Sequence, residues 1–175
     1  MSPRERVLAE LGAARQRLLA EVEDFEEPRF SQRPSPGAWS AAHVIEHLAR
    51  SESGVTRGVR AAAAGKLVIR RKWNDPLRQL LYSSNLYKAA RVRTVTALDP
   101  SEAPPRAVAL ARIGATRREL VEAIEQGDGR GIWIHSLRHP IFGPLPMEEM
   151  LCFMAYHEER HALQIGRIRA ALRRR

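Results

Sequence analysis

With 175 residues, 44% of them hydrophobic and 28% charged, the chain suits one water-facing domain with a core of its own, which excludes a fibrous or disordered class. Its single cysteine, Cys152, excludes an internal disulfide framework and fits a reducing compartment. A net charge of +9 raises nucleic acid as a partner, but acids and bases alternate along most of the chain, and the basic excess is confined to 66–72 and 167–175. Abundant arginine and alanine are also what a GC-rich genome produces without selection for binding. A nucleic-acid partner is therefore not expected.

The start, "MSPRERVLAELGAARQ", is charged and amphipathic, unlike a signal peptide. No apolar run approaches the roughly 20 residues that span a bilayer. These features predict a cytoplasmic protein with no membrane segment, one domain covering 1–175.

In chain order, Val7, Leu8, Leu11, Ala14, Leu18, Leu19 and Val22 recur at three-and-four spacing and predict a helix over about 3–25. "EEPRFSQRPSPGAW" follows, with three prolines and a glycine, and reads as a loop. Ser40 is a candidate N-cap for a second helix that ends near Gly65. Residues 66–104 contain a short helix around 76–90 and otherwise read as a long connection across the outside of the domain. A third helix is expected over about 105–126, with Gly127 as its stop. "RGIWIHSLRHPIFGPL" reads as irregular and aromatic. The last helix opens at Pro146, with Glu148 and Glu149 suiting a positive helix N-terminus, and runs to about Leu172. Four amphipathic helices without convincing strand alternation give an all-α four-helix bundle. The long connection between helices two and three argues against a simple up-down-up-down stack.

The chemistry lies in the histidines, six in number. "MAYHEERHALQI" carries His157 and His161 four residues apart, with Glu158 after the first, the H-E-x-x-H pattern of zinc peptidases. Both histidines fall within the apolar arc of the last helix, formed by Met150, Met154, Ile165, Ile168 and Leu172. One histidine there is most simply a satisfied core residue; two, stacked a turn apart, point to ligands on one ion. The peptidase reading fails, because nothing after His161 can supply a third ligand and an open zinc site usually has three. The third must come from upstream. In "HVIEHL", His47 borders the apolar arc of helix two, while His43 lies toward the polar side with Arg50 as a surface or supporting residue. Glu52 sits inside the apolar arc, where a carboxylate needs a cation or a role near the site.

Other residues have plainer readings. Trp39 plugs the bundle end at the start of helix two, and Trp73 and Trp133 cover the core. Cys152 is a small buried hydrophobe. His135 and His139 sit in a loop; His139, before Pro140, fixes that loop unless it approaches the open face of the site. Glu158 is a base only if it leans toward the ion.

A tryptophan-serine pair with a histidine eight residues after the tryptophan, "WSAAHVIEHL", and a late "HEERHALQI" with His157, His161, Gln164 and Ile165 occur in order. With "HPIFGPLPMEEMLCFMAYH" before the last helix, the chain resembles the DinB-like superfamily over most of its length, 66–104 apart. The resemblance implies a four-helix bundle of up-down-down-up topology with a long crossover. It also implies a three-histidine site for one divalent metal, often zinc or nickel, and homodimers. Members with assigned chemistry are thiol S-transferases and isomerases that use low-molecular-weight thiols such as bacillithiol or mycothiol, and some are hydrolases; the family thus sets the site and not the small-molecule substrate. A metal-dependent transferase or hydrolase with His47, His157 and His161 as ligands, thiol S-transfer being favoured over hydrolysis, is the expectation. The alternatives are a non-catalytic metal-binding or interaction bundle and, less favoured, a basic nucleic-acid binder.

Overall fold

The computed structural model describes residues 1–23, 25–67, 80, 98–100 and 102–174. Trp73 and nearly all of the expected connection, with its short helix at 76–90, lie outside them. Helices α1 (Pro3–Glu23), α2 (Ala41–Ala63), α3 (Arg106–Asp128) and α4 (Met147–Arg173) form the bundle. A short hairpin, β1 (Ser136–His139) and β2 (Gly143–Pro146), precedes α4.

The ends follow local chemistry. Ser40, in extended conformation at φ −83° and ψ 174°, caps α2 and accepts a hydrogen bond from the His43 backbone N–H. Gly65, at φ 68°, takes the left-handed turn that ends it. Helix α3 does not stop at Gly127; the backbone continues helically to Asp128. Gly127 is instead a packing site, since a Cβ there would lie 2.6 Å from Ile132 Cγ2. The stretch expected to be irregular holds a single turn of 3-10 helix (Ile132–Ile134) and the hairpin, in which Leu137 pairs with Leu145 and His139 with Gly143. Four-residue strands are too short to show alternation, and Pro144 and Pro146 disguise β2; a two-stranded ribbon tolerates them because each strand keeps an unpaired edge.

Helix order can be read from side-chain pairs. Arg6 meets Glu148, Arg15 meets Glu158 and Glu21 meets Arg169, so α1 and α4 run parallel. Glu46 meets Arg112, Glu52 meets Arg117 and Arg60 meets Glu119, so α2 and α3 run parallel. Val7 and Leu11 share one apolar cluster with Val59 and Ala62, while Leu18 and Val22 share another with Val44 and Ile45, so α1 and α2 are antiparallel. These relations are consistent with the expected up-down-down-up order.

Between the two apolar clusters lies a ring of buried charge. Glu52 accepts hydrogen bonds from Arg117 Nε at 2.6 Å, Arg15 at 3.2 Å and the Thr116 hydroxyl at 2.6 Å. Glu158 accepts from Arg15 Nε and from Arg117 at 2.7 Å. One residue from each helix thus closes Arg15–Glu158–Arg117–Glu52, and the guanidiniums also donate to the carbonyls of Ile113 and Leu11. Burial alone would lower the Arg117 pKa, but Glu158 and Glu52 beside it more than offset this and hold it above its ordinary value.

Two outcomes test this packing. Gly127→Ala should cost about 1–3 kcal/mol, the usual range for forcing a methyl into a filled site. Gly12→Ala, where a Cβ meets nothing within 4 Å, should add about 0.5–1 kcal/mol; urea melts of both variants check the pair. Glu158→Gln should cost about 3–5 kcal/mol by leaving buried guanidinium charge uncompensated. Arg117→Met with Glu158→Met should cost less than the two single changes combined, as measured in a double-mutant cycle.

Candidate metal centre

Helices α2 and α4 face each other just beyond the charge ring, and there three of the six histidines converge. His47 Nε2 lies 3.2 Å from His157 Nε2, and His161 Nε2 lies 3.1 Å from that same atom. One nitrogen from each of the three falls within 4.8 Å of the others. His47 and His161 are buried and His157 is half-buried. Among the described residues this is the one group of three or more potential metal-ligating side chains so arranged.

The far side of two rings fixes their tautomers. His47 Nδ1 donates to the Leu98 carbonyl at 3.0 Å, and His161 Nδ1 donates to Gln164 Oε1 at 2.7 Å. Both protons are therefore on Nδ1, and both Nε2 atoms present lone pairs to the shared point. His157 has one Nε2 and can donate a proton to only one of its two neighbours. Its Nδ1 is buried without a partner. Three imidazoles alone thus leave one close contact between lone pairs, which a cation at the common point resolves. Ligand bonds of about 2.0–2.1 Å put nitrogens roughly 2.9 Å apart in octahedral and 3.3 Å apart in tetrahedral coordination, and the observed separations fall between. The donor set fits a divalent cation.

Charge and burial keep the rings neutral. Burial, then His161 and His47 alongside, holds His157 well below its ordinary value. Burial, then His47, brings His161 down to about 3. His47 is lowered too, chiefly by burial. Trp39 does not simply plug the bundle end: its ring lies 5.1 Å from that of His47 and 6.4 Å from that of His161, closing one side of the cluster. The spacing from Trp39 to His47 offered that signal.

The remaining expectations divide. His43 is not at the surface; it is buried at the start of α2, with Nδ1 2.7 Å from Ser40 Oγ and Nε2 2.7 Å from the Arg33 guanidinium, because the proline-rich loop folds over this end. Glu52 and Glu158 belong to the charge ring, so neither is a free base, and the H-E-x-x-H likeness fails at its glutamate as well. His139 fixes its loop: Nδ1 accepts the Ile141 and Phe142 backbone N–H groups, each at 3.1 Å. Its ring packs between Phe142 and Phe153 beside His157. Trp133 covers the core, donating to Asp128 at 2.7 Å. Cys152 is buried, and burial with Glu10 nearby pushes its thiol up, away from reactivity.

Next to the cluster is a cavity of about 390 Å³, with His157 and His139 in its wall. Gln164 and the Leu98 carbonyl are the supporting groups that reasoning from sequence did not assign; the Gln-Ile after His161 was the available signal for the first.

Fold and cluster together define a four-helix bundle with a candidate metal centre. The chain belongs to the DinB superfamily, whose model matches residues 5–165. The uncharacterized protein YuaE of Bacillus subtilis is 22% identical over 163 residues, 88% of this chain and 91% of that one. Among solved structures, TT2238, a four-helix bundle protein, superposes with a TM-score of 0.62 at 22% identity, covering 94% of this chain and 98% of that one. YfiT from Bacillus subtilis, a probable metal-dependent hydrolase with an unusual four-helix bundle topology, gives 0.61 at 13% identity, covering 97% and 87%. At these identities the structural likenesses establish the fold. No helix among the described residues is long and apolar enough to cross a membrane.

The depressed histidines have a measurable consequence. A folded pKa below the unfolded 6.5 means that the unfolded chain takes up protons first, so stability is full above about 6.5 and is lost as pH falls toward the folded value. Metal-free protein should weaken from pH 6.5 downward, with His161 contributing up to about 1.4 kcal/mol per pH unit. Urea midpoints across this range test the slope, and His161 ring resonances should show no titration between pH 8 and 5.

Proposed function

We propose that the chain is a metal-dependent enzyme of the hydrolase type in which His47, His157 and His161 hold one divalent cation, zinc or nickel, through their Nε2 atoms. The observation that carries this reading is the convergence of three imidazole nitrogens, two with tautomers already set for ligation. The YfiT likeness supports hydrolysis over other uses of such a site. When bound, the cation supplies Lewis acidity, polarising a substrate carbonyl and making water or a thiol nucleophilic near neutral pH.

The chain's own residues do the rest. Gln164 and the Leu98 carbonyl hold two rings in the ligating orientation. Trp39 and Phe153 pack against the cluster and restrict water on those sides. The adjacent cavity admits a small molecule beside His157. A low-molecular-weight thiol bound as thiolate would turn the same site to S-transfer. Since Cys152 is buried, that thiol would come from solution. A cytoplasmic setting and a single domain over the whole chain accompany this reading.

The test is elemental analysis of the purified full chain and of His47→Ala, with circular dichroism on both. The expected result is one divalent ion per chain in the first and its loss in the second, helicity being retained. Hydrolysis of small esters or amides should vanish with chelator and return with one metal; turnover only with an added thiol and an electrophile would assign S-transfer. Unchanged metal content in His47→Ala would remove the three-histidine site.

A further inference from the structure

The cavity beside His157 has a one-sided chemistry. Its walls are apolar: Val55 from α2, Leu137 from β1, and Met150, Phe153 and Met154 from α4. No carboxylate lines it among the described residues. Of its four described polar side chains, Ser51 lies on α2, His157 on α4, and Arg138 and His139 on the hairpin. With Nδ1 of His139 accepting two backbone N–H groups, the proton of the neutral ring sits on Nε2, so its remaining polar atom is an N–H. Arg138, exposed at the rim, has no ion-pair partner among the described residues, whereas the arginines of the bundle interior are paired. Ser51 spends its hydroxyl proton on the His47 carbonyl at 2.9 Å. An apolar chamber with a metal centre at one wall and unspent donors at another selects a ligand by shape in the middle and by charge at one end.

Two glycines of α2, Gly54 and Gly58, lie in the cavity wall. At Gly58 a Cβ would lie 2.8 Å from Leu137 Cδ2, so that glycine admits β1. At Gly54 a Cβ would meet nothing nearer than an Arg57 guanidinium nitrogen at 3.9 Å, so that glycine holds open space without being required by packing. It acts as a width setting.

We infer that the cavity takes an amphipathic small acid: an apolar body lying against Phe153 and Met154, a reactive group toward His157, and a carboxylate or similar anion read by Arg138 with the His139 Nε2–H. Gly54 limits how wide the body can be. The inference rests on the metal-dependent reading above for the reactive end alone; the apolar wall and the anion end stand independently of it.

The probes are 4-phenylbutyrate and its uncharged counterpart 4-phenylbutan-1-ol, titrated calorimetrically into the metal-loaded full chain. The carboxylate should bind about five- to tenfold more tightly than the alcohol, the range for one charge-assisted contact at a partly wet site. Arg138→Met should erase that difference and leave the alcohol unchanged. Gly54→Leu should abolish both while keeping its helicity and a cooperative melt, showing that filling and not unfolding blocks the chamber, and Gly54→Ala should raise the melting temperature. Stripping the metal should leave carboxylate binding within about twofold, and metal content should be unchanged in Arg138→Met and Gly54→Leu. Equal binding of the two probes overturns the inference. So does carboxylate binding that survives Arg138→Met but disappears with the metal, because the anion then sits on the cation. A chain that holds no metal yet discriminates the probes through Arg138 would retire the proposed function and leave this recognition standing.

Discussion

Four charges, one from each helix, meet in the middle of the bundle, and the rest of the molecule is arranged around their mutual satisfaction. Arg15, Glu52, Arg117 and Glu158 form a closed ring of alternating sign with zero net charge. Buried ions add little net stability over apolar residues of the same volume, because desolvation takes back most of the attraction. Their effect is on uniqueness. A helix displaced by one turn, about 5.4 Å, would leave charges unpaired in an apolar core, so the ring penalises every other register. It also divides the core into the cluster of Val7, Leu120 and Leu151 on one side and that of Leu18, Ile45 and Ile165 on the other.

The histidine cluster inherits that register. Helices α2 and α4 carry both features, Glu52 following His47 by five residues and Glu158 following His157 by one. Adjacent helical residues point about 100° apart, so α4 sends Glu158 into the ring and His157 toward α2 from neighbouring positions. The glutamate that makes the sequence look like a zinc peptidase is therefore the residue that locks α4 in place. Removing it would loosen the cluster without touching a histidine.

How much of this was legible in the sequence depends on range. The helices and the residues 47, 157 and 161 could be read because amphipathic periodicity and i, i+4 spacing are local. Glu52 could be flagged as needing a partner, yet its partners, Arg15 and Arg117, lie on other helices, 37 and 65 residues away, and no local pattern selects them from among so many arginines. The hairpin escaped notice because its strands are only four residues long and the second carries two prolines. His43 was misjudged because a helical wheel knows the helix and not the loop, and here the loop from Phe25 to Trp39 buries what the wheel placed outside. Gly127 looked like a stop because glycine has two uses, a free backbone and a missing side chain, and only the position of Ile132 shows which applies.

The distribution of charge then constrains what chemistry the chain can support. The carboxylates nearest the cluster in sequence on α2 and α4 are occupied: Glu52 and Glu158 in the ring, Glu46 by Arg50 and Arg112, and Glu159 by Arg17. Arg160 adds positive potential at all three histidines, which favours their neutral form. Around the cavity the described side chains offer hydrogen-bond donors and apolar surface, with no carboxylate to take a proton. A site so built is poor at side-chain general-base catalysis and well suited to neutral imidazole ligation and to anionic ligands. Under the proposed reading, nucleophile activation belongs to the cation, and the chain contributes geometry, water exclusion and charge recognition. The same ring that fixes the histidines also withdraws the bases.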